Sequence, residues 1–287
     1  MTRRDGIGHT CSSERAKVGP ATNLGIKMMR AVTAILFCAL LIASAYAQTI
    51  TVAAAADLRP ALDEISSRFQ AQSGAKVNAI YGSSGNFSQQ IQNGAPFDLF
   101  FSANVEYPRK LETAGLIVSG SYYEYARGKI VLLVIASSAL EVKQGLKSLA
   151  GPAVKKIAIA DPSHAPYGQA AVAALKAENV YDQVSSKLVT GENISQTASF
   201  VLSGAADAGI VALSLALSPS IKDQVRFVEI PASDYPPIQQ ACVVLKSSKQ
   251  QTLALQFESY VRSEEAAGIL RRYGFEVPAA DKEKSVK

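Results

Sequence analysis

Four short turns of small and polar residues combine groups that could bind a compact anion. They read AAAAD at 53–57, YGSSGN at 81–86, DPSHAPYG at 161–168 and TGENIS at 190–195. Each turn follows a strand-like run and precedes a helical pattern, so each should present unpaired backbone N–H groups at the positive end of a helix dipole. No Lys or Arg lies within any of the four turns. This pattern predicts a site that binds a small tetrahedral dianion through neutral donors.

Side chains in these turns add donors to the predicted backbone amides. Ser83 and Ser84 offer hydroxyl groups, and Tyr167 offers a phenol. A site made only of dipoles selects a ligand by its size and by its inability to donate hydrogen bonds. A protonated oxyanion would find few acceptors there, apart from any carboxylate in the site.

An enzyme is the alternative from another functional class. Ser84, His164 and Asp57 are the residue types of a hydrolase triad, and His164 is the one histidine after residue 47. The chain lacks the G-x-S-x-G motif, however, and Ser84 precedes Gly85 in a capping turn rather than a nucleophile elbow. A secreted serine hydrolase using Ser84 and His164 is therefore the weaker hypothesis, and no catalytic residue is predicted.

The N-terminal region carries the pattern of an export signal. Residues 28–47 form an apolar run that follows Lys27 and contains Arg30, and the run ends in Ala45-Tyr46-Ala47, an A-x-A cleavage pattern. We predict a secretory signal peptide cleaved after Ala47, preceded by an upstream extension, and hence a periplasmic mature protein. Residues 1–47 are excluded from the predicted fold.

Charge and cysteine content exclude several classes of partner once residues 1–47 are set aside. This segment contains six of the 29 Lys and Arg and two of the 24 Asp and Glu, which leaves 23 basic and 22 acidic residues. A nearly neutral chain gives no indication of nucleic-acid binding. Cys242 remains as a single cysteine, so no internal disulfide is expected. One histidine, one cysteine and no clustered carboxylates do not match the spacing of a metal-cation site.

Strand-like and amphipathic segments alternate from Gln48 onward, which indicates an α/β protein with mostly parallel sheets flanked by helices. Strand-like segments near 127–131 and 238–243 would carry the chain from one α/β block to the other and back. This arrangement suggests that a second α/β block is inserted into the first. We therefore predict two lobes, residues 48–128 with 242–287 and residues 129–241, with a ligand cleft between them. Ligands in such sheets lie at the carboxyl ends of the strands.

Several of these segments resemble the periplasmic molybdate-binding proteins of ABC importers. The similar stretches are TVAAAADL at 51–58, GSSGNFSQQIQNGAPFDLFFSA at 82–103, KLETAGL at 110–116, DPSHAPYGQAA at 161–171 and RRYGF at 271–275. They follow one another in the same order over almost the whole chain after residue 47. The resemblance implies a two-lobed type II periplasmic-binding fold that holds molybdate or tungstate between its lobes without counter-charges.

The resemblance also implies which residues contact the anion. Ser84 corresponds to a hydroxyl and amide donor, Tyr167 to the anion-facing residue of its turn, and Ile194 to a donor through its backbone N–H. Ser83 and Ala212 are secondary candidates, the latter because some members have a tyrosine at that position. Asp57 occupies the first-turn hydroxyl position, where a carboxylate would repel a dianion. We expect its side chain to cap its own helix, with protonation or a different ligand as the other options.

A transport role with defined partners follows from the same resemblance. The protein would bind molybdate or tungstate, use no cofactor, act as a monomer and deliver the anion to a membrane permease driven by a separate ATPase. A receptor for sulfate or another tetrahedral oxyanion is the alternative within this class, because the sequence does not resolve small differences in ligand radius.

Overall fold

The computed structural model describes residues 48–278. The predicted upstream extension and signal peptide, residues 1–47, lie outside the described residues. Within the described range, no helix is both long enough and apolar enough to span a membrane.

The described residues alternate between strands and helices, as the sequence predicts. The strands are β1 Thr49–Ala55, β2 Lys76–Gly82, β3 Leu99–Ser102, β4 Tyr123–Gly128, β5 Ile130–Ile135, β6 Ile157–Ala160, β7 Leu188–Gly191, β8 Ala208–Ala212, β9 Val225–Glu229 and β10 Ile238–Val244. The α-helices are α1 Arg59–Ser73, α2 Ser84–Gln92, α3 Glu106–Thr113, α4 Pro166–Ala177, α5 Tyr181–Val184, α6 Ile194–Leu202, α7 Leu213–Ala216, α8 Gln251–Val261 and α9 Glu264–Arg272. Short 3-10 segments lie at Ala56–Leu58, Val142–Ala150, Ser185–Lys187, Lys222–Gln224 and Ala232–Asp234.

The strands form two five-stranded sheets, one in each lobe. The first has the order β2-β1-β3-β10-β4, and the second has the order β7-β6-β8-β5-β9. In the first sheet only β10 runs against the other strands, and in the second only β5 does so. The expected α/β class with mostly parallel sheets is therefore confirmed.

Local sequence explains why these elements form. The apolar run of β5, Ile130–Ile135, is buried along nearly its whole length, as expected of a strand covered on both faces. In α1, Leu62, Ile65 and Phe69 recur at helical spacing and are buried. Gly74 ends this helix with φ of +72°, a conformation that glycine adopts without steric cost.

Two chain crossings connect the sheets. Strands β4 and β5 are separated by one residue, Lys129, and the second crossing runs from β9 to β10. Strand β10 begins at Ile238, within the crossing expected near 238–243, and pairs with β4 from that residue onward. The exact lobe boundaries remain a prediction.

The lobes meet where β1 and β3 end. Ala55 at the end of β1, Ala56 directly after it and Ala103 after β3 belong to the same apolar cluster as the core of the second sheet. Because these positions are the carboxyl ends of parallel strands, they are where an α/β sheet is expected to bind a ligand.

Candidate anion-binding site

Residues from both lobes enclose one small cavity at this junction. The centre of a water-sized sphere can occupy about 10 Å³ inside the cavity, which leaves room for a single compact group. The lining residues come from all four predicted turns and from the end of β3: Ala55, Ala56, Asp57, Gly82, Ser83, Ser84, Ala103, Ala165, Pro166, Tyr167, Asn193 and Ile194.

Three helices begin at the wall of this cavity. Helix α2 starts at Ser84 in the first lobe, while α4 starts at Pro166 and α6 at Ile194 in the second. The first amides of a helix have no acceptor within that helix, and Pro166 has no N–H, so the available donors are the amides of Ser84, Tyr167 and Ile194. Three positive helix ends therefore converge on one point from both lobes.

Two serine hydroxyls add to these amides. The Oγ of Ser84 accepts a hydrogen bond of 2.9 Å from the amide of Ala103, which leaves its own proton to donate. The Oγ of Ser83 is buried and has no hydrogen-bond partner. Ser83 was only a secondary candidate in the sequence, but the structure gives it the same access to the cavity as Ser84.

Asp57 does not cap its own helix, which corrects the sequence-based expectation. Its Oδ2 instead accepts hydrogen bonds from Tyr167 Oη at 2.8 Å and from Gln240 Nε2 at 2.7 Å. The Oε1 of Gln240 in turn accepts from Tyr125 Oη at 2.6 Å. The Oδ1 of Asp57 is buried without a hydrogen bond.

Burial dominates the electrostatics of this carboxyl group. Desolvation raises the pKa of Asp57 to about 6, and the hydrogen bonds from Gln240 and Tyr167 oppose part of that rise. The amides of Asp57 and Leu58 lower this pKa more weakly. Burial, followed by the negative charge of Asp57, raises the pKa of the Tyr167 phenol well above its usual range, so this phenol remains a donor.

Direct hydrogen bonds join the lobes around the cavity. The amide of Gly85 donates to the carbonyl of His164 at 3.0 Å. Ser195 Oγ donates to the carbonyl of Ala56 at 3.2 Å, and Ser214 Oγ donates to the carbonyl of Asp57 at 2.7 Å. Together with the Tyr167 contact, these bonds describe a closed arrangement of the two lobes.

Among residues 48–278, no Lys, Arg or His lines the cavity, so the donors available there are peptide amides and hydroxyl groups. Larger clefts exist elsewhere on the described surface, including one of about 520 Å³ between α1, α6 and the 218–221 segment. That cleft contains Arg59 and Asp63 but none of the three convergent helix starts.

The structure brings together most of the residues predicted from the sequence. Ser84, Tyr167, Ile194, Asp57 and Ser83 all line the cavity, whereas Ala212 is the buried last residue of β8 and does not line it.

The sequence did not indicate Gln240, which donates to Asp57, or Tyr125, which donates to Gln240 from the neighbouring strand of the first sheet. The signal available in the sequence was a glutamine directly before the apolar run Ala241–Val244 of β10. In the structure Gln240 is fully buried, and its partner Asp57 is distant in sequence.

Among the described residues, Ser84, His164 and Asp57 do not form the hydrogen-bonded chain of a hydrolase triad. His164 Nδ1 lies 2.7 Å from Ser163 Oγ, and its Nε2 lies 3.2 Å from the carbonyl of Glu192. Neither ring nitrogen contacts Ser84 or Asp57 within the described residues. Over the same range, no group of three or more His, Cys, Asp or Glu is placed to hold a metal ion.

Comparisons with known proteins agree with the fold. The chain is 36% identical to the molybdate-binding protein ModA of Azotobacter vinelandii over 236 residues, covering 82% of this chain and 93% of that protein. It is 35% identical to the molybdate-binding protein ModA of Rhodobacter capsulatus over 231 residues, covering 80% and 89%. The solved structure of the A. vinelandii periplasmic molybdate-binding protein matches with a TM-score of 0.76 over 80% of this chain and all of that one, at 35% identity.

These likenesses establish that the two sheets form the two-lobed α/β type II periplasmic-binding fold. The family model for bacterial extracellular solute-binding proteins matches residues 50–276, which is most of the chain. The chain therefore belongs to the bacterial extracellular solute-binding protein family.

Proposed function

We propose that this protein is the solute-binding component of an ABC importer and captures molybdate or tungstate in the periplasm. The observation that supports this most strongly is the convergence of three helix N-termini and two serine hydroxyls on one compact cavity without Lys or Arg. Such a site suits a tetrahedral oxyanion that accepts hydrogen bonds on all sides. Relatives whose alignments cover 82% and 80% of the chain are named as molybdate-binding proteins.

The closed arrangement suggests how ligand binding would be signalled. Donors come from α2 in one lobe and from α4 and α6 in the other, so an anion between them bridges the lobes and favours closure. The closed form would then be recognised by a membrane permease coupled to a cytoplasmic ATPase. In this proposal the anion is bound and released unchanged, the protein acts as a monomer, and residues 1–47 direct its export and are removed.

The ligand assignment predicts stabilisation by molybdate. A ligand that binds only the folded state shifts the unfolding equilibrium toward that state, so molybdate and tungstate should raise the melting temperature of the purified protein.

Calorimetric titration with molybdate, tungstate and sulfate at one pH and ionic strength measures the preference among these anions directly. Sulfate serves as the control because it has the same shape and charge but a smaller radius. Equal affinity for sulfate would contradict the assignment.

A further inference from the structure

The proposed anion cavity contains one ionisable acid among its neutral donors. Asp57 lines the cavity and is fully buried. Its Oδ2 accepts hydrogen bonds from Tyr167 and Gln240, whereas Oδ1 is buried and has no hydrogen-bond partner among the described residues, so Oδ1 is the oxygen available to a ligand. Anion binding at this site must therefore accommodate a carboxylate that the surrounding structure fixes in place.

An ionised carboxylate beside a dianion is strongly unfavourable in a site that excludes water. A cation could offset the repulsion, but no Lys, Arg or His in the described part of the chain lines the cavity. The carboxylate could also turn away, but its two hydrogen bonds hold it, and Gln240 is itself held by Tyr125. A proton is the remaining means of removing the repulsion, since Oδ1 has an open position for one.

We propose that the site binds its tetrahedral oxyanion together with one proton, which is shared between Asp57 Oδ1 and one oxygen of the anion. This inference rests on the proposed function. The proton comes from solvent, and one O–H···O hydrogen bond replaces the repulsion between two negative groups. Asp57 is then a specificity-determining residue as well as a contact, because it favours the more basic of two oxyanions of similar shape, and molybdate is a stronger base than sulfate.

No other group around Asp57 is placed to take up this proton. The facing phenols are Tyr167 of α4 and Tyr125 of β4, and burial raises the pKa of both well above their usual range, so they remain neutral. From α6 and α7, Ser195 and Ser214 approach only backbone carbonyls of this turn.

The charged residues of α1 are engaged outside the cavity. Arg59 lies over the ring of Tyr81, with its guanidinium carbon 4.2 Å from the ring centroid, and Asp63 accepts the hydrogen bond of Tyr81 Oη at 2.5 Å. Asp63 therefore provides a matched control, because it is a carboxylate close in sequence that does not line the anion cavity.

The experiment is a calorimetric titration with molybdate in two buffers of low and high ionisation enthalpy, repeated at several pH values. Because the ligand-free pKa of Asp57 is about 6, the carboxyl group is ionised at pH 7.5, and the bound anion must raise this pKa. The wild-type protein should take up about one proton per anion, and its affinity should fall by about tenfold for each pH unit between pH 7 and 8.5.

Two variants test the role of Asp57. Asp57→Asn should take up no proton, show little change in affinity over this range, and bind about 10- to 100-fold more tightly than wild type at pH 8. Asp63→Asn should behave as wild type does. Molybdate binding by the wild type without proton uptake would overturn the inference and leave the proposed function intact, and so would equal uptake by Asp57→Asn. If molybdate does not bind to any form, both proposals fail.

Discussion

Ser83 and Ser84 are adjacent in sequence, yet their hydroxyl groups have different environments. Ser84 Oγ accepts from the Ala103 amide, so it connects α2 to the end of β3 as well as facing the cavity. Ser83 Oγ is buried without any partner, and an unsatisfied buried hydroxyl is costly unless a ligand completes its hydrogen bonding. Ser83 therefore offers a ligand a hydroxyl group that no other described residue uses.

Replacing either serine with alanine should weaken molybdate binding by about 1–3 kcal/mol, because a hydrogen bond to a charged group is lost. The two variants should differ in stability. Ser84→Ala also leaves the buried Ala103 amide without its acceptor and should lower the melting temperature of the ligand-free protein, whereas Ser83→Ala should not.

Ser88→Ala is the matched control for both serine variants, because Ser88 is a buried serine of the same helix that does not line the cavity. Calorimetric titration and thermal unfolding measure the two effects. Unchanged molybdate affinity in Ser83→Ala would show that the unpartnered hydroxyl is not used by the ligand.

At the scale of elements, the start of α2 makes a close approach to the opposite lobe. The Gly85 amide donates to the His164 carbonyl, and a Cβ atom at residue 85 would lie 2.7 Å from that carbonyl oxygen. The clash would be with backbone, which has little freedom to move aside. A glycine at this position is therefore required for the two lobes to close on the cavity.

Gly85→Ala should weaken molybdate binding about 5- to 100-fold, because steric overlap of this kind costs about 1–3 kcal/mol and here it opposes the closed arrangement of the lobes. The melting temperature of the ligand-free protein should fall as well, because the overlap opposes the closed arrangement that buries Asp57.

Gly268→Ala in α9 is the control for this substitution, because an added Cβ there meets nothing within 4 Å. Titration calorimetry compares the two variants. Wild-type affinity in Gly85→Ala would mean that molybdate binds without the closure seen in this structure.

At the scale of the whole molecule, packing of segments that are distant in sequence buries the Asp57 carboxyl group away from water. The hydrogen bonds from Tyr167 in the second lobe and Gln240 in the first recover only part of the lost solvation, so the pKa of Asp57 is raised from 3.8 to about 6. A carboxyl group whose pKa is raised by folding makes its full contribution to stability below pH 3.8. That contribution is lost as the pH rises toward 6, because the unfolded chain releases its proton first.

The free energy of unfolding of the ligand-free wild type, taken relative to Asp57→Asn, should therefore fall between pH 4 and pH 7. The expected drop is up to roughly 3 kcal/mol, which corresponds to the difference between the two pKa values. Urea unfolding of both proteins at a series of pH values measures it, with Asp63→Asn as the control. A constant difference between wild type and Asp57→Asn across this range would show that the carboxyl group is not buried in the ligand-free protein.

The order of elements follows from the sequence because hydrophobic periodicity and turn residues are local properties. The continuous apolar run 130–135 and the spacing of Leu62, Ile65 and Phe69 predict a buried strand and an amphipathic helix, and both are present. The turns at 81–86, 161–168 and 190–195 predict helix starts rich in free amides for the same local reason. The absence of Lys and Arg from these turns also indicates an anion held by neutral donors.

Only the tertiary structure decides how side chains from distant segments meet. Gln240 and Tyr167 are 183 and 110 residues from Asp57, and no local pattern predicts that both would donate to its carboxylate rather than leave it to cap a helix. Ala212 lies outside the cavity for a similar reason, since the position of β8 in its sheet fixes the direction of that residue. Local chemistry specifies the available donors, whereas the packing of the two lobes determines which of them surround one point and whether a charge there is exposed to water.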